Sequence, residues 1–187
     1  MKPLEGITVV DFTQVHAGSL TTMLLDDFGA EVIQIERAGM GDLSRHLAPF
    51  KNGASGYMAH MCRGHKSISV NAGNEKGREF ILRLLAEADV LVENFKYGSM
   101  ERLKLTYEEV KKVNPGIIYA SVSAFGQTGP MRATIGLDIH LQAMSGLMDR
   151  TGFADGPPTR VGMAAGDHIG GTYLATAIMF ALMHKKR

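Results

Sequence analysis

The chain has 187 residues, 45% of them hydrophobic and 21% charged, with a formal net charge of +1. That length and balance fit one globular domain with a real core, and the near-zero charge points to neither nucleic acid nor an anionic membrane as partner. A single cysteine, Cys62, rules out an internal disulfide and reads as a small buried hydrophobe in a reducing compartment. The opening Met-Lys-Pro-Leu-Glu-Gly lacks the apolar core of a signal peptide. The most apolar stretch, near 172–183, is too short to span a bilayer, so the expected location is cytoplasmic.

Ile7 to Phe12 is a β-branched apolar run after Gly6, as in a buried parallel strand. Ala17 to Phe28 follows with Leu20, Met23, Leu24 and Phe28 on one helical face and a stop at Gly29. Glu31 to Glu36 is a second strand, completing a β-α-β unit. The turn between strand and helix, Thr13-Gln14-Val15-His16-Ala17-Gly18, is not a G-x-G-x-x-G turn, so the dinucleotide fingerprint is absent. Residues 37–66 are rich in loops, with a short helix near 55–62. Their basic residues Arg37, Arg45, Arg63, His65 and Lys66 are either solvated charge or anion contacts at the strand ends, where open α/β sheets bind ligands.

Ser67 to Val70 is a strand, and Glu75 to Glu87 a helix with Phe80, Ile81, Leu84 and Leu85 inward. Asp89 to Glu93 and Ile117 to Ser123 are further strands, separated by short helices near 98–103 and 106–113. This alternation argues a doubly wound parallel sheet. Phe125 to Pro130 is a flexible loop at a strand end, and Asp138 to Met148 a helix. A final helix over 168–186 buries Ile169, Tyr173, Leu174, Ala177, Ile178, Ala181 and Leu182. With Met179, Phe180 and Met183 it is apolar nearly all round and is expected to be enclosed on most sides.

Gly166-Asp167 stands at the threshold of that helix, after the Gly/Pro-rich loop that begins at Gly152. Asp is a favoured helix N-cap. The same position suits a nucleophile, because the helix dipole stabilises the ionised carboxylate that attacks a carbonyl. Local sequence leaves both roles open.

Several short pieces, in order, resemble a known family. They are Pro3 to Ile7 with Asp11-Phe12-Thr13, Gly29 to Ile33 with Ile35-Glu36-Arg37, Gly41-Asp42, Lys66-Ser67, Val92 to Phe95, Gly126 to Pro130 and Gly166-Asp167. Together they resemble the N-terminal half of the family III CoA-transferases, which include formyl-CoA transferase and the carnitine CoA-transferases. Thr151 to Thr159 looks most like the formyl-CoA transferase branch. The resemblance implies a Rossmann-like doubly wound parallel sheet, the N-terminal part of an interlocked-dimer fold, with residues 1–187 as the CoA-binding large domain. Members run about twice this length, so the smaller domain and a C-terminal return segment are expected to be missing, and the full-length protein to form an interlocked homodimer.

By resemblance Asp167 is the nucleophile, carrying first a mixed anhydride and then an aspartyl-CoA thioester. Val15, His16, Ala17, Arg37, Asn94, Phe95 and Arg102 match contacts to coenzyme A. His16 is expected to be a contact and not a general base. CoA and acyl-CoA are substrates, the second partner is a small carboxylic acid, and no tightly bound cofactor or metal is implied. Two alternatives accompany this reading. The fold also hosts α-methylacyl-CoA racemases, whose His precedes an Asp-Ile pair; here Leu137 precedes Asp138-Ile139 and His140 follows it. A stand-alone half could also be an inactive CoA-binding fragment, exposing apolar surface meant for the rest of the protein.

Overall fold

The computed structural model describes residues 2–186. Strand β1 (Thr8–Asp11), helix α1 (Ala17–Asp27) and strand β2 (Glu31–Arg37) form the expected β-α-β unit. After them come a two-stranded hairpin, β3 (Phe50–Lys51) and β4 (Ala54–Ser55), and the short helix α2 (Gly56–Met61). Strand β5 (Lys66–Val70), helix α3 (Glu75–Ala86) and strand β6 (Val90–Glu93) follow. Helices α4 (Ser99–Leu103) and α5 (Tyr107–Val110) lead to strand β7 (Ile118–Ser121), helix α6 (Asp138–Met144) and helix α7 (Ala165–Lys185). The expected helices over 106–113 and 138–148 are thus shorter than their apolar patterns suggest. The last residue of the terminal basic run, Arg187, lies outside the described residues.

Five parallel strands stand in the order β5-β2-β1-β6-β7. The chain winds outward from β1 in one direction, then returns through α3 to wind outward in the other. The reversal between β1 and β6 is the switch point at which such sheets bind ligands, beyond the strands' C-terminal ends. Both faces of the sheet are covered, and side chains alternate between them. Val10, Phe12, Ile35 and Leu91 pack against Ile81, Leu85, Met100 and Val110 from α3, α4 and α5. Val9, Val32, Val90 and Val92 pack on the other face against Leu25 of α1 and Ile178 and Leu182 of α7. Phe80, expected inward, is 38% exposed on the flank of α3, where Ile81 and Leu85 hold the core face.

Helix α7 departs most from expectation. Only one stripe is buried, through Gly171, Ala175, Ile178 and Leu182. Ile169, Tyr173, Phe180 and Met183, which the apolar pattern would enclose, are 59–75% exposed, and Ala177 is exposed too. The buried stripe lies directly on α1. A Cβ on Gly171 would stand 2.5 Å from the Ala17 carbonyl oxygen, and the Thr21 hydroxyl donates to the Gly171 carbonyl at 2.9 Å. Since the obstructing atom is backbone, the helices must separate to admit a methyl group. Gly171→Ala is therefore expected to cost about 2 kcal/mol, read as a lowered midpoint in equilibrium urea unfolding with an unchanged slope.

The basic residues of 37–66 prove mostly structural. Arg45 grips buried Glu36 with two guanidinium nitrogens, Nε at 2.6 Å. Glu36 also accepts from the Asp42 amide at 2.7 Å and from the Ser67 hydroxyl. These donors, Arg45 foremost, hold its carboxyl down at about 2. Arg63 pairs with Asp27 and Lys66 with Glu31. His65 is buried 3.8 Å from Asp11, but burial holds its ring down at about 4, so at neutral pH the two do not form an ion pair. Of the five, Arg37 borders a ligand-sized cleft.

Candidate active site at the switch point

The turn after β1 is fixed from several sides. Buried Asp11 accepts from the Thr13 amide and the Thr22 hydroxyl, each at 2.7 Å, tying the strand end to α1. Burial pushes its carboxyl up to about 7. The Asn94 side chain, at the end of β6, accepts from the Gln14 amide at 2.9 Å and donates to the Gln14 carbonyl at 2.7 Å. This reciprocal pair sews the two strands together across the switch point. Val15 follows with φ of +66°, a left-handed conformation that a β-branched residue adopts only when its surroundings impose it. His16 then occupies the N-cap position of α1 without capping it. Its ring reaches the Tyr57 hydroxyl on one side and His168 Nδ1 on the other, at 3.2 Å.

Two clefts open beside this turn. The larger, about 680 Å³, lies beyond β1, β2 and β5 and is lined by Gln14, Glu36, Arg37, Asn71, Phe95 and Arg102, among others. Arg37 and Arg102 are exposed and form no ion pair among the described residues. Glu36 is committed to Arg45, so the cleft's free charge is positive. The second cleft, about 400 Å³, is bordered by Ala17, Asn94, Asp138, Gln142, Gly166 and Asp167. Consecutive residues Asn94 and Phe95 thus line one cleft each. Val15 and His16 are half-buried on the turn and border neither.

Asp167 does not cap α7. The helix begins at Ala165, after Ala164, which has no capping side chain, and Asp167 sits inside the first turn. The cap comes from α6: Asp138 Oδ1 accepts from the Gly166 amide at 2.7 Å and more weakly from the Asp167 amide at 3.4 Å. The other oxygen of Asp138 accepts from the Gln142 amide at 2.6 Å. Gln142 is 1% exposed; it also donates to the Met163 carbonyl and accepts from the Val161 amide. This buried clamp fixes the loop that delivers Asp167.

Relieved of capping, the half-buried Asp167 carboxylate has no hydrogen-bond partner among the described residues. Burial first, then the charge of Asp138, raise its pKa above the ordinary carboxylate value, and His168 opposes them. A half-buried carboxylate bordering a cleft, with nothing structural to do, is equipped to attack an electrophilic carbon.

The racemase pattern fails here in space as well as in sequence. His140 is exposed, and its Nδ1 accepts from the Leu137 amide at the start of its own helix. Sequence reading did not single out Tyr57, Asp138, Gln142 or His168 as site residues; Asp138 had a local signal, since Asp before an apolar run often serves a helix start. Among the described residues no three His, Cys, Asp or Glu side chains gather as metal ligands would, and no helix is long and apolar enough to cross a membrane.

Residues 4–187 match the model of CoA-transferase family III. The chain is 45% identical over 186 residues to acetyl-CoA:oxalate CoA-transferase of Acetobacter aceti, covering 99% of this chain and 48% of that protein. It is 45% identical over 188 residues to succinyl-CoA:glutarate CoA-transferase of Mus musculus, covering all of this chain and 43% of the relative. The crystal structure of a CAIB/BAIF family protein from Brucella suis superposes with a TM-score of 0.94 at 39% identity, over all of this chain and 50% of that one. The chain spans about half the length of the curated relatives it matches. With a family match across nearly its whole length, on a switch-point site of this geometry, the chain belongs to CoA-transferase family III.

Proposed function

We propose that the chain takes an acyl-CoA across the switch point and transfers CoA to a small carboxylic acid through covalent intermediates on Asp167. The observation that carries this is the Asp167 carboxylate itself: bordering a cleft, half-buried and unpartnered, with its helix capped by another residue. The nucleotide end of CoA lies in the 680 Å³ cleft with its phosphates near Arg37 and Arg102. The thioester arm passes Phe95 and Asn94 and brings the acyl carbon to Asp167. Val15, His16 and Ala17 hold the turn between the two ends.

A carboxylate oxygen of Asp167 attacks the thioester carbon, the C–S bond breaks, and CoA leaves as thiolate from a mixed anhydride. The thiolate attacks the side-chain carbonyl of Asp167, releasing the donor acid and leaving an aspartyl-CoA thioester. The acceptor carboxylate displaces the thiolate to give a second anhydride. The thiolate then attacks the acceptor's carbonyl, giving the new acyl-CoA and free Asp167. Every step exchanges one acyl bond for another, so no proton is gained or lost overall. The names of the relatives pair short acyl-CoAs with dicarboxylic acids, and the substrates here are of that class: acetate, formate, oxalate or succinate and their thioesters. The exposed apolar residues of α7 fit burial in an interlocked homodimer, and a cytoplasmic location suits the substrates.

Mixing the chain with acetyl-, formyl- or succinyl-CoA and a panel of small carboxylates is expected to yield the exchanged thioester by mass spectrometry. Hydrolysis without exchange, for every pair, would sink the proposal. Arg37→Ala and Arg102→Ala are each expected to weaken CoA binding by about tenfold in titration calorimetry. Affinities equal to the parent's would remove these arginines from the CoA site.

A further inference from the structure

Three side chains form a hydrogen-bonded row that ends on His168, the residue after Asp167: Tyr57 from α2, His16 from the turn after β1, and His168 from α7. His168 Nδ1 lies 2.8 Å from the Ala164 carbonyl oxygen and 3.2 Å from His16 Nε2. His16 Nδ1 meets the Tyr57 hydroxyl. The directions of these bonds follow from one atom. A carbonyl oxygen only accepts, so His168 Nδ1 carries its hydrogen. That one hydrogen is shared, mainly with the Ala164 carbonyl at 2.8 Å and more weakly with His16 Nε2 at 3.2 Å, so His16 Nε2 presents its lone pair to it. A neutral imidazole with a bare Nε2 carries its hydrogen on Nδ1, and that hydrogen goes to the Tyr57 oxygen. Tyr57 is thereby an acceptor from His16, and its own hydroxyl hydrogen is left to donate elsewhere.

We propose that His168 and His16 are positioning residues whose fixed tautomers, set by the Ala164 carbonyl, keep the Tyr57 hydroxyl free to donate to an oxygen of the carboxylate or acyl group that meets Asp167. The inference rests on the reading of Asp167 as the acyl-bearing residue. Reversing the His16 tautomer would point its Nε2–H at the His168 N–H and turn Nδ1 into an acceptor, which would consume the Tyr57 hydrogen. The charges around the row favour the neutral, donating state. Burial, then the charge of His168, hold His16 below the ordinary histidine value; His60 adds to this and Asp138 opposes it. Burial, then the charge of Asp167, push the Tyr57 hydroxyl up to about 12, with Asp42 and Cys62 acting in the same direction. A preorganised hydroxyl donor aimed at oxygen where negative charge develops stabilises the transition state of acyl transfer.

The test is nitrogen-15 NMR of histidine-labelled protein, which distinguishes protonated from bare ring nitrogens. In the unaltered chain His16 is expected as the Nδ1–H form. In His168→Phe it should revert toward the Nε2–H form that free histidine favours. In His168→Asn, whose amide N–H can serve the same carbonyl and the same lone pair, it should stay Nδ1–H. An Nε2–H form of His16 in the unaltered chain would overturn the inference, as would a tautomer indifferent to His168→Phe. The spectra need no acyl-CoA, so failure of Asp167 to take an acyl group would leave this readout standing. In acylation of Asp167, His168→Phe and Tyr57→Phe should each slow the reaction by about a hundredfold. Their combination should cost no more than either alone, and His168→Asn should remain within a few-fold of the parent. Additive losses, or equal losses in His168→Asn and His168→Phe, would show a merely structural role.

Discussion

Replacing Asp167 with Asn is expected to lower CoA transfer by about ten-thousand-fold or more while leaving the folded state intact. An amide has nearly the shape of the carboxylate but cannot form the anhydride. The fold has nothing to lose, because Asp138 and not Asp167 satisfies the first amides of α7. Burial and the charge of Asp138 raise the folded pKa of Asp167 above its unfolded value. A raised folded value means that ionisation of this group costs stability once pH passes the unfolded value, and removing the charge is expected to leave the melting temperature equal or higher. Thermal unfolding beside a transfer assay checks both halves. A variant that lost activity and stability together would return Asp167 to the role of a structural cap.

Asp138→Ala is expected to produce the opposite combination of effects. It leaves the Gly166 and Asp167 amides without their acceptor and the buried Gln142 amide without one of its two. The expected cost is about 1–2 kcal/mol of stability. Turnover should fall by about a hundredfold, since misplacing a reacting group by an ångström costs on that order. Asp138→Asn keeps an oxygen for the Gly166 amide, gives up the hydrogen bond from Gln142, and removes a negative neighbour that raises the Asp167 pKa. Only ionised Asp167 attacks, so the acid limb of the pH–rate profile follows its pKa, and that limb is expected to move to lower pH. A limb that stayed in place or moved upward would mean that the Asp138 charge does not act on the nucleophile.

The layered α/β architecture was legible because its signals are local. β-branched runs such as Ile7 to Phe12 give strands, and Gly29 stops a helix where the next strand begins. The start of α7 was not legible, because its cap arrives from 28 residues upstream, and within the local sequence Gly166-Asp167 resembles a cap. The same limit applies to the basic residues of 37–66. A sequence shows Arg45 and Lys66 as charges, but only the folded chain turns Arg45 back onto Glu36 and, by pairing β5 with β2, sets Lys66 near Glu31. The all-round apolar pattern of α7 marks which residues can be buried without saying which are, so Tyr173 and Phe180 were misplaced. Of the residues named for CoA, Arg37, Phe95 and Arg102 gather at one cleft and Ala17 and Asn94 at the other, with Val15 and His16 on the turn. Tyr57 and His168 carried no local signal, being joined to His16 across 41 and 152 positions of sequence.

The most direct test of the central claim is peptide mapping by mass spectrometry after incubation of the chain with short acyl-CoAs. The account predicts a CoA adduct on the peptide containing Asp167, formed with loss of water relative to free CoA and absent from Asp167→Asn. A chain that bound CoA yet carried no covalent adduct on Asp167 with any acyl-CoA tried, or carried one elsewhere, would contradict the assignment of Asp167 as the nucleophile.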